Sequence, residues 1–346
     1  MAEADPGKFR TEDTLATYDA VAERYAVEIA HELDNKPFDR EFLDRFADSV
    51  RDHGPVVDLG TGPGHVAAYL RQRGVDVSGL DLSPRMVEVA RSRTPAIEFV
   101  AGSMLELPFA TGSIGGLVAF YSIVHFDDDQ MKRAVGEMVR VLRPGGLVAL
   151  TFHIGDELIH RDSWWDTPIE LDFRFLPTAL VTDVMSRGGL RVVSVEERDP
   201  YAPEVEFQSR RAYVTGSRLP SFELGYPRTD LRRKLTEAVL YGDKRATAGL
   251  AKDHAPHTDE PLPTSGDRWL MLGFDDEPLA IVETTEVRLV PAGEVDLAFA
   301  RDEGEGFESV ADWRAAHERF WSEEQLTDET LVVCERFEVV ERITPG

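Results

Sequence analysis

The sequence predicts an α/β chain: a mostly parallel sheet with helices on both faces, followed by a smaller domain built as a partly closed barrel. Three observations carry this. Short apolar runs alternate with helical periodicities between residues 56 and 152, as strands buried in a parallel sheet do when crossover helices join them. The first run, Val56–Leu59, breaks into glycines at alternate positions, Gly60, Gly62 and Gly64, before the helical Val66–Leu70. A strand that turns on glycines into a helix brings bare backbone to a ligand at the carboxyl end of a sheet. Finally, 346 residues is long for one domain, and the pattern changes beyond residue 216.

Taken in order, Leu15, Tyr18, Val21, Ala22 and Tyr25 recur at helical spacing, as do Phe38, Phe42, Leu43 and Phe46, with Pro37 suited to a first helical turn. These two helices stand where they can cap the first strand. Val75–Asp81 reads as the second strand, and Ser83-Pro84 as the cap and first position of a helix carrying Met86, Val87 and Ala90 on one face. Ile97–Val100 is the third strand. Ile114–Tyr121 is the fourth, weakened by Gly115-Gly116. A helix over Gln130–Leu142 stops at Arg143-Pro144-Gly145-Gly146, and Leu147–Phe152 is the fifth strand. Residues 153–180 read as an irregular aromatic insertion containing His153, Trp164, Trp165, Phe173 and Phe175. A helix over Thr178–Arg187 ends at Gly188-Gly189, and Leu190–Arg198 and Arg211–Thr215 are late strands around a loop at Pro200–Glu204. Gly216–Pro227 has turn residues and no periodicity, hence a linker. Beyond it come a helix (Asp230–Leu240), a Pro/His/Asp loop (251–266), strands (Trp269–Phe274 and Leu279–Val290), a helix (Val310–Trp321) and a closing strand (Leu331–Val340).

Composition bounds the function. The net charge is −26; residues 217–346 hold 15 Lys+Arg and 28 Asp+Glu, which is −13, so the acidity is shared equally by the two parts. Duplex nucleic acid is an unsuitable partner for such a chain, whereas a nucleoside, a small molecule or a short single strand is compatible. Cys334, the one cysteine, lies in an apolar run and reads as a buried hydrophobe; disulfide frameworks and Cys-rich zinc sites are excluded. Met1–Lys8 lacks the charged start and apolar stretch of a signal peptide, and no apolar run reaches the ~18 residues of a membrane span. A soluble cytoplasmic protein without membrane or metal is expected.

Two ligand classes use such a glycine turn. A dinucleotide site prefers G-x-G-x-x-G, and here His65 stands at the third position, which disfavours a dehydrogenase. Asp58-Leu59-Gly60-Thr61-Gly62-Pro63-Gly64 instead resembles the first motif of class I S-adenosylmethionine-dependent methyltransferases, whose sheet is Rossmann-like and seven-stranded. The resemblance spans roughly residues 15–215. It implies that the glycines and Thr61 face the methionine part of the cofactor. It further implies that Asp81 grips the ribose, where a carboxylate can accept from two vicinal hydroxyls. Leu82 and Met86 are similar to the apolar residues near the adenine. Gly102-Ser103-Met104 occupies the third motif, with Ser103 where the family usually has an acid. Phe120–Phe126, with Tyr121 and His125, resembles the segment lining the methyl-transfer pocket, and Arg140–Gly146 matches the turn before the fifth strand.

A sulfonium methyl is already activated, so such a site must align the acceptor and exclude water. Tyr121, His125 and His153 stand where a base could sit, although packing roles are the commoner use of such residues. Trp164, Trp165 and Phe173 either shape an acceptor pocket or cover the sheet.

In the second half, Gly242-Asp243-Lys244-Arg245-Ala246-Thr247 resembles the signature of ASCH domains, an α+β, PUA-like β-barrel family. Glu283–Val287, and Phe299–Gly306 ahead of Trp313 and His317, support the resemblance. Some members look like amidohydrolases acting on N4-acylated cytidines through a Lys, a Thr and a Glu. Lys244, Thr247 and Glu303 match those positions, and a desolvated lysine can activate a threonine hydroxyl. Nucleotide or RNA binding without chemistry is the competing reading. Trp269, Trp313 and Phe320 fit core positions. The expected arrangement is a methyltransferase domain over 1–215, a linker over 216–228 and an ASCH domain over 229–346. The cofactor is S-adenosylmethionine, and the acceptor a small molecule, a nucleoside or single-stranded RNA. A protein that senses S-adenosylmethionine and binds RNA without methyl transfer is the alternative.

Overall fold

A computed structural model describes residues 9–201, 209–225, 228–256, 258, 261–322 and 325–343. The chain divides between Arg218 and Leu219 into two compact units.

The first unit opens with helices α1 (Thr11–Glu28) and α2 (Pro37–Val50), followed by β1 (Val56–Leu59), α3 (His65–Gln72), β2 (Val77–Asp81), α4 (Pro84–Arg93) and β3 (Phe99–Ala101). Then come β4 (Ile114–Phe120), α5 (Asp128–Val141), β5 (Leu142–His153), β6 (Leu158–Trp164), β7 (Thr167–Arg174), α6 (Thr178–Arg187), β8 (Leu190–Arg198) and β9 (Arg211–Arg218). Seven strands form one mixed sheet in the order β3-β2-β1-β4-β5-β9-β8. The first five are parallel, and β9 runs antiparallel between β5 and β8. β1 and β4 are buried at every position, as central parallel strands require.

Local chemistry sets the helix ends. The Ser83 hydroxyl accepts from the Met86 N–H, with Pro84 at the first helical position of α4. Asp127 and Gln130 form a reciprocal capping box on α5. The apolar face of α2, Phe42, Leu43, Phe46, Ala47 and Val50, lies in the same core cluster as Val56, Val118 and Ala149 from the central strands.

Four expectations need revision in this unit. Gly115 and Gly116 do not weaken β4: a Cβ on Gly115 would fall 2.0 Å from the His53 carbonyl oxygen, so the close pass of the neighbouring chain demands glycine. The Arg143–Gly146 turn survives as a bulge inside β5, since Ile114 pairs with Leu142 and Gly116 with Leu147. The aromatic insertion is not irregular: β6 and β7 form an antiparallel hairpin. Its two-residue turn, Trp165-Asp166, has φ of 49° and 63°, the left-handed pair that hairpin twist favours and that Asn-Gly usually supplies. Without that dipeptide the turn was hidden, although Ile169, Leu171 and Phe173 alternate inward along β7. Lastly, Gly216–Arg218 complete strand β9 by pairing with β5 and β8, and do not begin a linker. Most of the loop expected at Pro200–Glu204 lies outside the described residues.

The second unit contains β10 (Ser221–Phe222), α7 (Asp230–Tyr241), β11 (Ala246–Leu250), β12 (Arg268–Leu272), β13 (Pro278–Pro291), α8 (Leu297–Asp302), α9 (Val310–Phe320) and β14 (Leu331–Arg342). Its sheet runs β10-β12-β13-β14-β11, antiparallel except for β10 beside β12. Among the described residues β10 and β11 are the edges, so the pairing order is that of an open sheet and not of a closed barrel. β10, β11 and α8 were not visible in the sequence. β11 is built from small residues, and α8 is too short to show a period, its start fixed by Asp296 accepting from the Phe299 N–H at 2.8 Å. Trp313 and Cys334 are fully buried, and burial pushes the Cys334 thiol up to about 12. Trp269 is half-buried and packs against the core around Met271 and Val282, whereas Phe320 is exposed and is not the core residue expected. Among the described residues no helix is long and apolar enough to cross a membrane, and no cluster of His, Cys, Asp and Glu could hold a metal ion.

Candidate functional site

The turn after β1 is held from below by Asp58. Its Oδ2 accepts from the Thr61 hydroxyl at 2.6 Å and from the Ala67 N–H at 3.1 Å, tying the turn to α3. Gly60 and Gly62 take left-handed φ of 68° and 54°. A Cβ on Gly60 would come within 2.5 Å of the Ser122 Cβ, so glycine is needed for both conformation and space. Asp81 closes β2 directly opposite. Its Oδ2 accepts from the Gly62 N–H at 2.7 Å and its Oδ1 from the Ser83 N–H at 2.9 Å. Burial raises the Asp81 carboxyl to about 6 against those two hydrogen bonds, and Asp58 likewise to about 6.

These groups open on a cleft of about 780 Å³, part of it open to solvent. Gly60, Gly62, Asp81, Leu82, Ser103, Met104, Phe120, Tyr121 and His125 line it. The other expected cofactor residues stand behind the wall: Asp58 and Thr61 brace the turn, Gly64 packs under Phe99, and Met86 joins the core formed with Ala22, Ala26 and Val89. Gly64 is left-handed at 81° and starts α3. Ser103 spends its hydroxyl on its own turn, accepting from the Leu105 N–H at 3.1 Å.

The structure also brings in residues that the sequence did not mark. Thr11, Thr14, Tyr18 and Tyr25 on α1 line the cleft. α1 is pinned there by the Thr17 hydroxyl, which donates to the Glu170 carbonyl at 3.0 Å, and by Asp19, which accepts from the Arg85 N–H at 3.1 Å and the Ser83 hydroxyl at 2.5 Å. The hairpin aromatics support it. Trp164 is edge-on to Tyr18 and Tyr25, with ring centroids 6.2 and 5.6 Å away, and stacks on Trp165 at 4.8 Å. Trp164, Trp165 and Phe173 therefore buttress the aromatic wall without lining the cleft. A helical period in α1 was legible, but which face met a ligand depended on the hairpin.

The candidate bases are all committed. His125 is buried; its Nδ1 lies 2.9 Å from the Asp172 carbonyl oxygen, so that nitrogen carries the proton, and Nε2 accepts from the Tyr18 hydroxyl at 2.8 Å. Burial lowers it to about 4, leaving a neutral ring. Tyr121 has a left-handed φ of 54°, held by its N–H donating to the Thr151 hydroxyl oxygen at 2.9 Å. Its own hydroxyl turns to Asp39 and Tyr213, at 3.3 and 3.1 Å, and burial raises it well above the ordinary tyrosine value. His153 is not a lining residue of the cleft; it stacks on Phe175, and burial beside Arg211 and Lys36 lowers it to about 3.

The donor set fits S-adenosylmethionine on the structure's own terms. A cradle that a Cβ would fill lies beside a buried carboxylate able to take a vicinal diol. Apolar Leu82 and Met104 and aromatic Phe120 complete a wall for the rest.

In the second unit Lys244 and Glu303 meet, but as parts of a fold staple. Lys244 is fully buried; its Nζ donates to the Glu303 carbonyl at 3.1 Å and to Glu305 Oε1 at 2.8 Å. Between those acids Gly304 turns with φ 66°, and a Cβ there would lie 2.4 Å from the Lys244 backbone nitrogen. The buried Glu303 carboxyl is raised to about 8, chiefly by desolvation, with Oε2 3.6 Å from the His317 Nε2. Thr247 lies opposite Glu335 in the β11–β14 ladder. Glu335, unmarked in the sequence, accepts from the Thr284 hydroxyl at 2.6 Å, which in turn accepts from the Trp269 indole N–H at 2.9 Å.

Comparison with known proteins agrees with both halves. Residues 56–146 match the family described as methyltransferase domain, and residues 225–341 match the ASCH domain. The chain is 30% identical over 153 residues to malonyl-[acyl-carrier protein] O-methyltransferase of Pectobacterium atrosepticum, covering 40% of this chain and 60% of that protein. It is 36% identical over 104 residues to demethylmenaquinone methyltransferase of Thermus thermophilus, covering 28% of this chain and 46% of that protein. It thus spans less than two thirds of the length of either relative. A crystal structure of a SAM-dependent methyltransferase from Methanosarcina mazei superposes with a TM-score of 0.46 at 13% identity, covering 50% of this chain and 96% of that one. The chain carries a methyltransferase domain followed by an ASCH domain.

Proposed function

We propose that this protein is an S-adenosylmethionine-dependent methyltransferase whose acceptor is held beside Tyr121. The first unit, through Arg218, acts as the transfer unit, and the ASCH unit follows from Leu219. The observation that carries the reading is Asp81, a buried carboxylate hydrogen-bonded to the glycine turn and facing a cleft. S-adenosylmethionine, when bound, supplies a methyl group already activated by its sulfonium. The chain's own contribution is positional. Asp81 takes the ribose diol, Gly60 and Gly62 leave room for the amino-acid portion, and Leu82, Ser103, Met104 and Phe120 hold the adenine end. Tyr18 and Tyr25 on α1 roof the cleft and keep water out.

Calorimetric titration with S-adenosylmethionine, paired with transfer of a labelled methyl group to RNA, nucleosides and small molecules, tests this reading. Binding with transfer is the expected outcome. Binding with transfer to none of them favours an S-adenosylmethionine sensor that binds RNA.

For the second unit, nucleotide or single-stranded RNA binding is the better-supported role, on an open sheet whose β13–β14 ladder is bent by register shifts. Lys244 is ion-paired with Glu305 and bonded to a carbonyl, so amide hydrolysis by Lys244, Thr247 and Glu303 has less support. A cytoplasmic location belongs to the same reading and rests on the acidic chain with its single cysteine.

A further inference from the structure

We propose that the methyl acceptor is an organic acid whose carboxylate is itself the nucleophile, drawn to the Tyr121 end of the cleft by Lys36 and Arg211. The inference rests on the methyltransferase reading and names its substrate class.

Two independent observations lead there. The first is the state of the titratable groups at the cleft. An alcohol, an amide or a protonated amine must lose a proton as it is methylated. His125 is neutral with both ring nitrogens engaged, the Tyr121 hydroxyl is tied to Asp39 and Tyr213, and Asp81 is bonded to backbone and assigned to the ribose. No described lining residue is thus placed to take that proton.

The second is charge. The Lys36 Nζ lies 5.7 Å from the centroid of the Tyr121 ring and the Arg211 guanidinium carbon 5.9 Å from it. Arg198 joins them through the buried network behind the ring, donating to the Tyr213 hydroxyl at 2.7 Å and to Asp39 Oδ2 at 3.2 Å. Against these cations stand Glu32, 2.8 Å from Lys36, and Asp39. Burial is the main cause that lowers His153, and Arg211 and Lys36 add to it by disfavouring its charged form. In a partly desolvated cleft such a field attracts an anion and repels an ammonium group.

An acceptor already ionised at neutral pH needs no base and gains from the field, and a carboxylate meets both conditions. The step balances without a proton. A carboxylate oxygen lone pair forms the O–CH3 bond, the methyl–sulfur bond breaks, and its electron pair stays on sulfur in S-adenosylhomocysteine. The product is a methyl ester.

The test uses the full chain with methyl-tritiated S-adenosylmethionine. The probes are straight-chain mono- and dicarboxylic acids and benzoic acids, each beside its alcohol and amine counterpart. Methyl esters release volatile labelled methanol in mild alkali, whereas ethers and N-methyl products do not. The expected result is alkali-labile label on at least one acid and none on the counterparts. Lys36→Met is expected to lower kcat/KM for that acid at least tenfold with cofactor affinity unchanged, and Lys36→Arg to retain most of it. Alkali-stable label on an alcohol or amine overturns the inference. So does a Lys36→Met variant as active as the parent, or cofactor binding with no transfer to any acid. Failure to bind S-adenosylmethionine at all is a distinct result, which removes the methyltransferase reading as well.

Discussion

Asp81 and Glu303 are both buried carboxyls, each at the end of an element and each next to a left-handed glycine, yet their surroundings differ. Asp81 is bonded to two backbone N–H groups and faces a cleft. The donors offset part of its desolvation and leave it near 6, where a ligand's hydroxyls can complete the ionisation. Glu303 is closed off, about two units higher, and its loop is held by a lysine that bonds to the chain rather than to a guest. Residue types thus say little about a site until one knows whether their hydrogen-bonding capacity is spent inside the fold or offered to a cavity.

The comparison breaks first at Lys244. Lys244→Ala strips a buried charge from Glu305 and the loop, and the expected loss is about 3 kcal/mol of stability in the second unit. It is read by native-state hydrogen exchange across β11 and β14. A variant that keeps full protection but loses an amidohydrolase activity makes Lys244 catalytic instead. Asp81→Ala comes next: losing charge-assisted hydrogen bonds to the ribose costs about 2–3 kcal/mol, or roughly 100-fold in S-adenosylmethionine affinity, by calorimetry. Unchanged affinity removes the residue from the cofactor site.

The acids also sharpen the contrast through pH. Glu303 has a folded value near 8 against an ordinary 4.5. The folded state therefore holds the extra proton across that window, and its stabilising effect is complete below 4.5 and lost as pH rises through 8. Glu303→Gln is expected to flatten this decline, by on the order of 1–2 kcal/mol at pH 8, in denaturant melts. For Asp81 the sign concerns binding. Ribose hydroxyls favour its ionised form, so cofactor affinity falls as pH drops below about 6, by at most about tenfold per pH unit, with proton release on binding over that same range and none well above it. A pH-independent affinity between 5 and 7 shows that the ribose does not meet this carboxylate.

Much of the wall around the glycine turn was legible because it depends on local rules. The turn at Gly60, Gly62 and Gly64, the Ser83-Pro84 cap and the acid ending β2 are each written in adjacent residues. The wall opposite was not. Tyr18 and Tyr25 face the cleft only because β7 and its aromatics pack on α1, and the hairpin leaves no turn signal in the sequence because its turn contains no glycine. Met86 carried the right period but turned to the core shared with Ala22 and Ala26. In the second unit the register that sets Thr247 opposite Glu335 links residues far apart in the chain, and no spacing in one sequence announces it.

The Trp165-Asp166 turn illustrates a trade between durability and shape. Bulky residues in left-handed backbone cost about 1 kcal/mol each, and glycine at Asp166 would relieve one of them. Glycine at Trp165 would relieve the other and also remove the indole that stacks on Trp164 and meets Tyr25 at 6.2 Å. A screen for heat resistance alone would accept both changes and, in the second, loosen the aromatic wall of the cleft. The strained turn is therefore a position where selecting for hardiness and selecting for turnover should pull the sequence in different directions.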